Sequence, residues 1–292
     1  MALHEMTVEK WRIFQAISWE MLPDARLQLH HAAQVIAAMG KYLLPEKADD
    51  SHTSLTWLPA QQALAGEPLG KHGSIRGALR PADFCLSLLS GDGGITDQLK
   101  LDGKTLPDAL AWAKDRLRKH GIDSDSLSLK MHFEIPHHTV KDGCAFCPRP
   151  AQAFAELGKY FGNAHLLLSG LQNAYPNVSV IRCWPHHFDI AALITVVENE
   201  NPEHAKSIGV GLSPGDGGYS MPYFYVTPWP YPDPGKIALP TLAGNGRWHT
   251  QGWVGAILTA DRIVTEAPSG QQIEQVQNFL NSAINASKTL IG

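Results

Sequence analysis

Apolar residues recur every three to four positions in four stretches of the chain, the spacing of a helix that buries one face. The first stretch covers 27–44 and ends at Pro45, and the second covers about 150–175. Two shorter stripes lie at 106–117 and 273–284. Because proline interrupts helices and each stripe is one-sided, the pattern predicts four amphipathic helices.

Other segments have the patterns of β-strands. Residues 53–58 and 178–184 are short strand-like runs, and 126–136 alternates between apolar and polar residues. Alternation places one set of side chains on each face of a strand, so 126–136 is predicted to be a half-buried antiparallel strand. The loop 137–150 follows it. The many prolines of 222–253 predict an irregular, aromatic-rich insertion without long regular structure.

The two halves of the chain carry similar motifs in the same order. Trp57 is followed by Pro59 in the first half, and Trp184 is followed by Pro185 in the second. LLSGDGG then stands at 88–94, and LSPGDGG stands at 212–218. We interpret this order as two diverged units of helix, antiparallel strands and helix. The predicted fold class is α+β, with two repeats related by an approximate two-fold axis in one compact body. The predicted domains are 1–149, and 150–292 with the insertion.

Composition excludes several classes of protein. The chain has 292 residues, 44% of them hydrophobic, and a formal net charge of −4. Its basic residues are scattered, so a nucleic-acid partner is not expected. No signal-peptide pattern opens the sequence and no apolar stretch is long enough to span a bilayer, which predicts a soluble, cytoplasmic protein with no membrane partner. In a reducing compartment the four cysteines are expected to form no disulfide.

Residues 183–191, CWPHHFDIA, are the strongest candidate for a functional site. If 182–196 forms one strand, His187 and Asp189 lie on one face of it and can both reach one metal ion. With His249 as the third ligand, they form a two-histidine, one-carboxylate arrangement that leaves positions open for water or substrate.

A simpler alternative needs no metal. One histidine is then hydrogen-bonded in the core, the other is exposed, and Asp189 caps a turn. Alignment of Pro59 with Pro185 places inert residues of the first half opposite the two histidines, so a structural role shared by both halves does not explain them.

Further candidates surround the second glycine turn. Asp216 either bonds its own turn or extends into the site, and a folding role is favoured because GDGG occurs in both halves. Tyr225 is predicted to position substrate with Asp216, whereas Tyr223 is interpreted as aromatic packing. The predicted substrate-binding residues are Trp184, Tyr219, Trp229 and Trp248. No phosphate-binding loop is present, so no nucleotide cofactor is expected.

A second metal candidate lies in the loop 137–150. Cys144 and Cys147 can supply two thiolates to a zinc ion, and His138, next to His137, is close enough in sequence to supply a third ligand. The second ligand pair that is usual in such sites is missing, so a structural zinc is only an alternative here.

The motifs WPHHFDIA, GVGLSPGDGGY, PYFYVTPWPYP and WHTQGWVGAIL together resemble a family of uncharacterised bacterial proteins with a domain of unknown function. The resemblance covers most of the second half of the chain. It implies that these motifs occur together, and it assigns no activity to any residue.

The sequence thus predicts a metal-dependent enzyme that acts on a small molecule, of hydrolase or oxygenase type. His187, Asp189 and His249 bind a divalent ion such as Zn, Fe or Mn, and His186 serves as an acid–base group or orients a ligand. The alternative is a non-enzymatic protein that binds a sugar or an organic acid through the aromatic insertion. A purely structural interaction protein is a third possibility.

Overall fold

A computed structural model describes residues 9–15, 17–199, 204–263 and 268–292. It mixes helices with two antiparallel sheets, which confirms the α+β class. The long helices in the described residues are α1 (Leu22–Leu43), α2 (Leu106–Lys119), α3 (Ala151–Ala174) and α4 (Ser269–Ile291). All four correspond to predicted helices.

Eleven strands lie in the described residues. They are β1 (Thr56–Leu58), β2 (Ala63–Ala65), β3 (Ile75–Arg80), β4 (Cys85–Ser90), β5 (Ile95–Lys100), β6 (Arg182–Trp184), β7 (Asp189–Val197), β8 (Lys206–Ser213), β9 (Tyr223–Trp229), β10 (Arg247–His249) and β11 (Gly255–Thr259). No helix in this part of the chain is long and apolar enough to cross a membrane.

The chain forms two compact units. The N-terminal unit comprises Ile17–Gly158 and Arg182–Phe188, and the C-terminal unit comprises residues 9–15, Lys159–Ile181 and, where described, Asp189–Gly292. The division falls within α3 and not at the predicted boundary after residue 149. Residues 1–8, where the first predicted domain begins, lie outside the described residues.

In the N-terminal unit, the strands form one antiparallel sheet in the order β1-β2-β3-β4-β5. Helix α1 contacts β3 and α2, and its residues from Gln28 to Gly40 are all buried. The helix α2 begins at a complete capping box, in which Thr105 and Asp108 each accept a hydrogen bond from the other's backbone N–H.

In the C-terminal unit, β7 to β11 are antiparallel and follow one another in the order β10-β11-β9-β8-β7. Alternation gives this sheet two different faces. One face is apolar and buried, and α4 packs against β8, β9 and β11 there. The residues of this face include Ile190, Ala192, Val210, Leu212, Phe224, Val226, Ala256 and Leu258. The opposite face is polar and carries the candidate site.

Three strand predictions need correction. Residues 126–136 belong to no strand, although their side chains alternate between half-buried and exposed in part of the segment. The run 182–196 is not one strand, because the turn Pro185–Phe188 separates β6 from β7. The insertion 222–253 is less irregular than predicted, since it contains β9 and β10.

Internal duplication is not confirmed by this architecture. The strands predicted at 53–58 and 178–184 shrink to Thr56–Leu58 and Arg182–Trp184, and both belong to the N-terminal unit. Within that unit they are adjacent, because Leu55 and Cys183 exchange backbone hydrogen bonds of 2.9 and 2.7 Å.

Candidate functional site

The polar face of the C-terminal sheet gathers tyrosines and aspartates from three elements. Asp189 begins β7, Tyr223 and Tyr225 lie two apart on β9, and His249 ends β10. The connection from β8 to β9 adds Asp216 and Tyr219. We call these six residues the tyrosine–aspartate cluster. Five of them were singled out from the sequence, and the structure brings those five to one face of one sheet.

Two tyrosine–carboxylate hydrogen bonds form the centre of the cluster. The Tyr223 hydroxyl donates to Oδ2 of Asp216, and the Tyr225 hydroxyl donates to Oδ2 of Asp189. The two tyrosine rings lie 6.2 Å apart between centroids. Hydrogen bonds to ionised acceptors are stronger than neutral ones, so these contacts hold both phenol groups in fixed positions.

Asp216 acts in its own turn and in the cluster at the same time. Its Oδ1 accepts from the backbone N–H groups of Gly218 and Tyr219, at 2.7 and 2.9 Å. Its Oδ2 receives the Tyr223 hydroxyl. In the other GDGG turn, Oδ1 of Asp92 accepts from the Gly94 N–H at 3.2 Å. The turn role is therefore common to both motifs, and the tyrosine contact distinguishes the second.

Tyr223 is buried, and its pKa lies well above the usual value for tyrosine. Burial is the largest cause, and the hydrogen bond to Asp216 and the charge of that carboxylate raise the pKa further. The charge of Asp189 acts in the same direction, while a hydrogen bond with Ser213 opposes it. This phenol therefore remains protonated and donates its hydrogen bond throughout the ordinary pH range.

Both ring nitrogens of His249 are engaged. Nε2 lies 2.7 Å from the backbone carbonyl oxygen of Gln251, and Nδ1 lies 2.7 Å from the Tyr219 hydroxyl. A carbonyl oxygen only accepts, so Nε2 carries the hydrogen, and in the neutral ring Nδ1 accepts from Tyr219. The imidazole also packs on Trp253, with centroids 4.4 Å apart and planes 31° apart.

Two glycines make room for aromatic rings on this face. A Cβ on Gly211 would stand 2.6 Å from both Cζ and the hydroxyl oxygen of Tyr225. A Cβ on Gly255 would stand 2.4 Å from Cζ3 of Trp253. Both distances are far below van der Waals contact, so the rings lie directly over bare backbone. Glycine at these two strand positions therefore determines where the rings sit.

His186 and His187 lie elsewhere, in the turn Pro185–Phe188 of the N-terminal unit. Phe188 has φ of 58° and donates its N–H to the Trp184 carbonyl at 2.7 Å, which closes the turn. The side chain of His187 is exposed. His186 is half-buried, which lowers its pKa, and its ring centroid is 5.7 Å from that of Phe133.

The carbonyl of Pro185 in the same turn is bound by helix α1. His30 Nε2 and Gln34 Nε2 lie 2.8 and 2.9 Å from this oxygen. The His30 ring also stacks on Phe188, with centroids 5.0 Å apart. These contacts give the shape of the turn a structural explanation, since helix α1 fixes it from within the N-terminal unit.

A metal site receives no support from the described residues. No group of three or more His, Cys, Asp or Glu side chains in them could hold a metal ion. His187 and Asp189 do not share a strand face, because His187 lies in the turn before β7. Asp189 accepts from a tyrosine and both nitrogens of His249 have partners.

The remaining predicted substrate-binding residues lie outside the cluster. Trp248 pairs with Ala256 and so lies on the other sheet face, where its Nε1 donates to the Pro240 carbonyl at 2.7 Å. Trp229 is exposed at the end of β9. Trp184, at the end of β6, is half-buried in the N-terminal unit.

The residues considered as alternative zinc ligands do not form one group in the described part of the chain. Cys144 and Cys147 are exposed free thiols. His138 pairs with Asp24 at 2.9 Å and His137 pairs with Asp142 at 2.8 Å. These histidines therefore have carboxylate partners in the structure, and they belong to no three-ligand group in the described chain.

Sequence reasoning misses part of the site. Tyr223 is buried and packs against Tyr219 and Tyr225 as predicted, but its hydrogen bond to Asp216 is not predicted. Its place two residues before Tyr225 signals that both lie on one strand face. The sequence prediction names neither Trp253 nor Arg247. Trp253 stacks on His249, and the Arg247 guanidinium lies 5.4 Å from the centroid of the Tyr219 ring. Both flank His249 closely in sequence, which was the available signal.

Comparisons of the chain with protein-family models, with curated proteins and with solved structures found no match.

Proposed function

We propose that the C-terminal unit binds a small organic molecule at the tyrosine–aspartate cluster. The observation that carries the proposal is the pair of tyrosine–carboxylate hydrogen bonds on one sheet face, next to the half-buried Tyr219, His249 and Trp253. Fixed polar groups beside aromatic rings are the usual composition of ligand sites.

The two faces of the sheet support the proposal. The apolar face already packs on α4 and accounts for the core of the unit. The opposite face has features that the packing on α4 does not explain, namely two buried glycines beneath aromatic rings and a buried tyrosine bonded to an exposed aspartate. Such spatial matching is expected where side chains are positioned for a ligand.

A ligand screen followed by variants tests the proposal. Thermal shift is measured with a panel of sugars, amines and organic acids, and NMR then maps the hits on the tyrosine rings. A binder should lose affinity in Tyr225→Phe and Trp253→Ala and keep it in Tyr231→Phe, a matched change at an exposed tyrosine away from the cluster. If no compound shifts the ring signals of the cluster, the proposed function is wrong.

The metal-dependent enzyme predicted from the sequence is tested in the same preparation. It requires Zn, Fe or Mn on His187, Asp189 and His249, and elemental analysis of untagged protein measures this directly. Stoichiometric metal that disappears in His249→Ala would replace the binding function with the metal-dependent one. The partners of His249 described above favour the metal-free site.

A further inference from the structure

We infer that the tyrosine–aspartate cluster selects a small organic amine, a ligand that donates hydrogen bonds and carries positive charge. This inference rests on the binding function proposed above and names its ligand class. It departs from the sugar or organic acid suggested by the sequence.

The directions of the hydrogen bonds in the cluster indicate that the ligand is a hydrogen-bond donor. Tyr223 donates its hydroxyl hydrogen to Asp216. In the neutral His249 ring, Nε2 donates to the Gln251 carbonyl, so Nδ1 accepts the hydroxyl hydrogen of Tyr219. With its hydrogen committed to His249, the oxygen of the half-buried Tyr219 meets a ligand as an acceptor. The matching ligand group is therefore a donor, such as an ammonium group.

The charged side chains of the cluster and its surroundings indicate that the ligand is a cation. Asp189 and Asp216 supply two carboxylates, and the exposed Arg247 beside Tyr219 supplies one guanidinium. The protonated phenol of Tyr223 adds no charge. The two carboxylates and the one guanidinium leave one net negative charge. Complementarity favours a cation and disfavours the organic acid.

The aromatic rings of the cluster indicate that the ligand combines a positive charge with a short alkyl chain. The Tyr219 ring lies 5.6 Å from the His249 ring, which lies 4.4 Å from that of Trp253, and all three are half-buried. Ring faces attract cations and cover short alkyl chains. A small alkyl amine combines the charge, the donors and the apolar stem that this arrangement matches.

Calorimetric titration of the full chain tests the inference with four probes. They are 1,4-diaminobutane, tetramethylammonium, glucose and succinate. The diamine should bind, and tetramethylammonium should bind more weakly because it has charge without N–H donors. Glucose and succinate should bind least. Asp216→Asn should weaken diamine binding by about tenfold or more, since it removes a charged acceptor.

Two further variants separate the site from the fold. Asp92→Asn makes the same change in the other GDGG turn and should leave diamine affinity unchanged. Tyr219→Phe removes one acceptor oxygen, leaves the backbone bonds of the Asp216 turn in place, and should also weaken the diamine. Circular dichroism verifies that each variant is folded.

Several outcomes would overturn the amine inference. Tighter binding of glucose or succinate, lost in Asp216→Asn, would refute the ligand class while leaving the proposed binding function intact. Diamine binding that neither Asp216→Asn nor Tyr219→Phe weakens would place the amine elsewhere. Absence of diamine binding at millimolar concentration would also refute it, and the wider screen above then decides the binding function separately.

Discussion

Gly211→Ala is the sharpest test of how the sheet face is built. The new Cβ would stand 2.6 Å from Cζ and the hydroxyl oxygen of Tyr225, and 2.7 Å from the backbone carbonyl oxygen of Ile190. The tyrosine ring can move, but the carbonyl belongs to a paired strand and cannot move freely. We therefore expect both overpacking and a displaced Tyr225.

The magnitude follows from three effects. Overpacking a well-packed site costs about 1–3 kcal/mol. Loss of the Tyr225 hydrogen bond to the Asp189 carboxylate costs about 1.5–3 kcal/mol. Alanine gains about 0.5–1 kcal/mol over glycine in a strand. The variant should therefore be less stable by about 1.5–5.5 kcal/mol in its free energy of unfolding.

Urea denaturation followed by circular dichroism measures this difference. Gly217→Ala is the control, because a Cβ there meets no atom within 4 Å, and its stability should stay within about 0.5 kcal/mol of the starting protein. In a Tyr225→Ala background, Gly211→Ala should cost less, because only the clash with the carbonyl remains. An equal cost in both backgrounds, or no cost at all, would refute the role assigned to Gly211.

Two further predictions concern the N-terminal unit. Burial lowers the pKa of His30 to about 3. In mild acid His30 is therefore protonated in the unfolded chain and neutral in the folded chain. The stability contributed by His30 is complete above about pH 6.5 and falls toward pH 3, by about 2.7 kcal/mol at pH 4.5. His30→Gln, which keeps a donor for Pro185, should lose less stability between pH 7 and 4.5 in urea titrations, and an equal loss would contradict the assignment. Thr105→Ala removes the cap of α2 and should lower the free energy of unfolding by about 1 kcal/mol. Thr241→Ala, in an exposed loop, should change it little, and similar effects of both threonine changes on the thermal midpoint would argue against the cap.

The helices could be predicted because their cause is local. Apolar residues at helical spacing mark α1 to α4, and prolines mark the ends of the first two predicted stretches. The strand over 182–196 was wrong because its interruption depends on Phe188 at positive φ, which no composition rule anticipates for a bulky residue. Phe84, after Pro81, takes the same conformation with φ of 43°.

The segment 126–136 failed for a different reason. Its half-buried and exposed positions alternate as a strand's do, but alternation does not supply a partner strand. The Lys130 carbonyl accepts instead from the side chains of Lys41 and Tyr42, at 2.8 and 2.7 Å. Long-range pairing of this kind is invisible in a single sequence.

The candidate site was predictable residue by residue and not as an arrangement. Asp189, Asp216, Tyr225 and His249 were chosen by chemical type, and each lies in the cluster. Which tyrosine meets which aspartate depends on the register of β8, β9 and the turn between them, where Gly211 stands opposite Tyr225. That register is a property of the folded sheet and does not follow from sequence spacing. The metal arrangement inferred from spacing therefore combined side chains that have other partners in the structure.

The two faces of the sheet divide β9 into positions that build the cluster and positions that build the hydrophobic interior. Odd-numbered positions such as 223 and 225 face the cluster, whereas even-numbered positions such as 224 and 226 pack toward α4. A combinatorial library confined to the odd positions and 249 would leave the residues of β9 that pack toward α4 unchanged in every member. Variants of β9 can therefore be grouped by odd and even position, since the two groups probe different layers of the C-terminal unit.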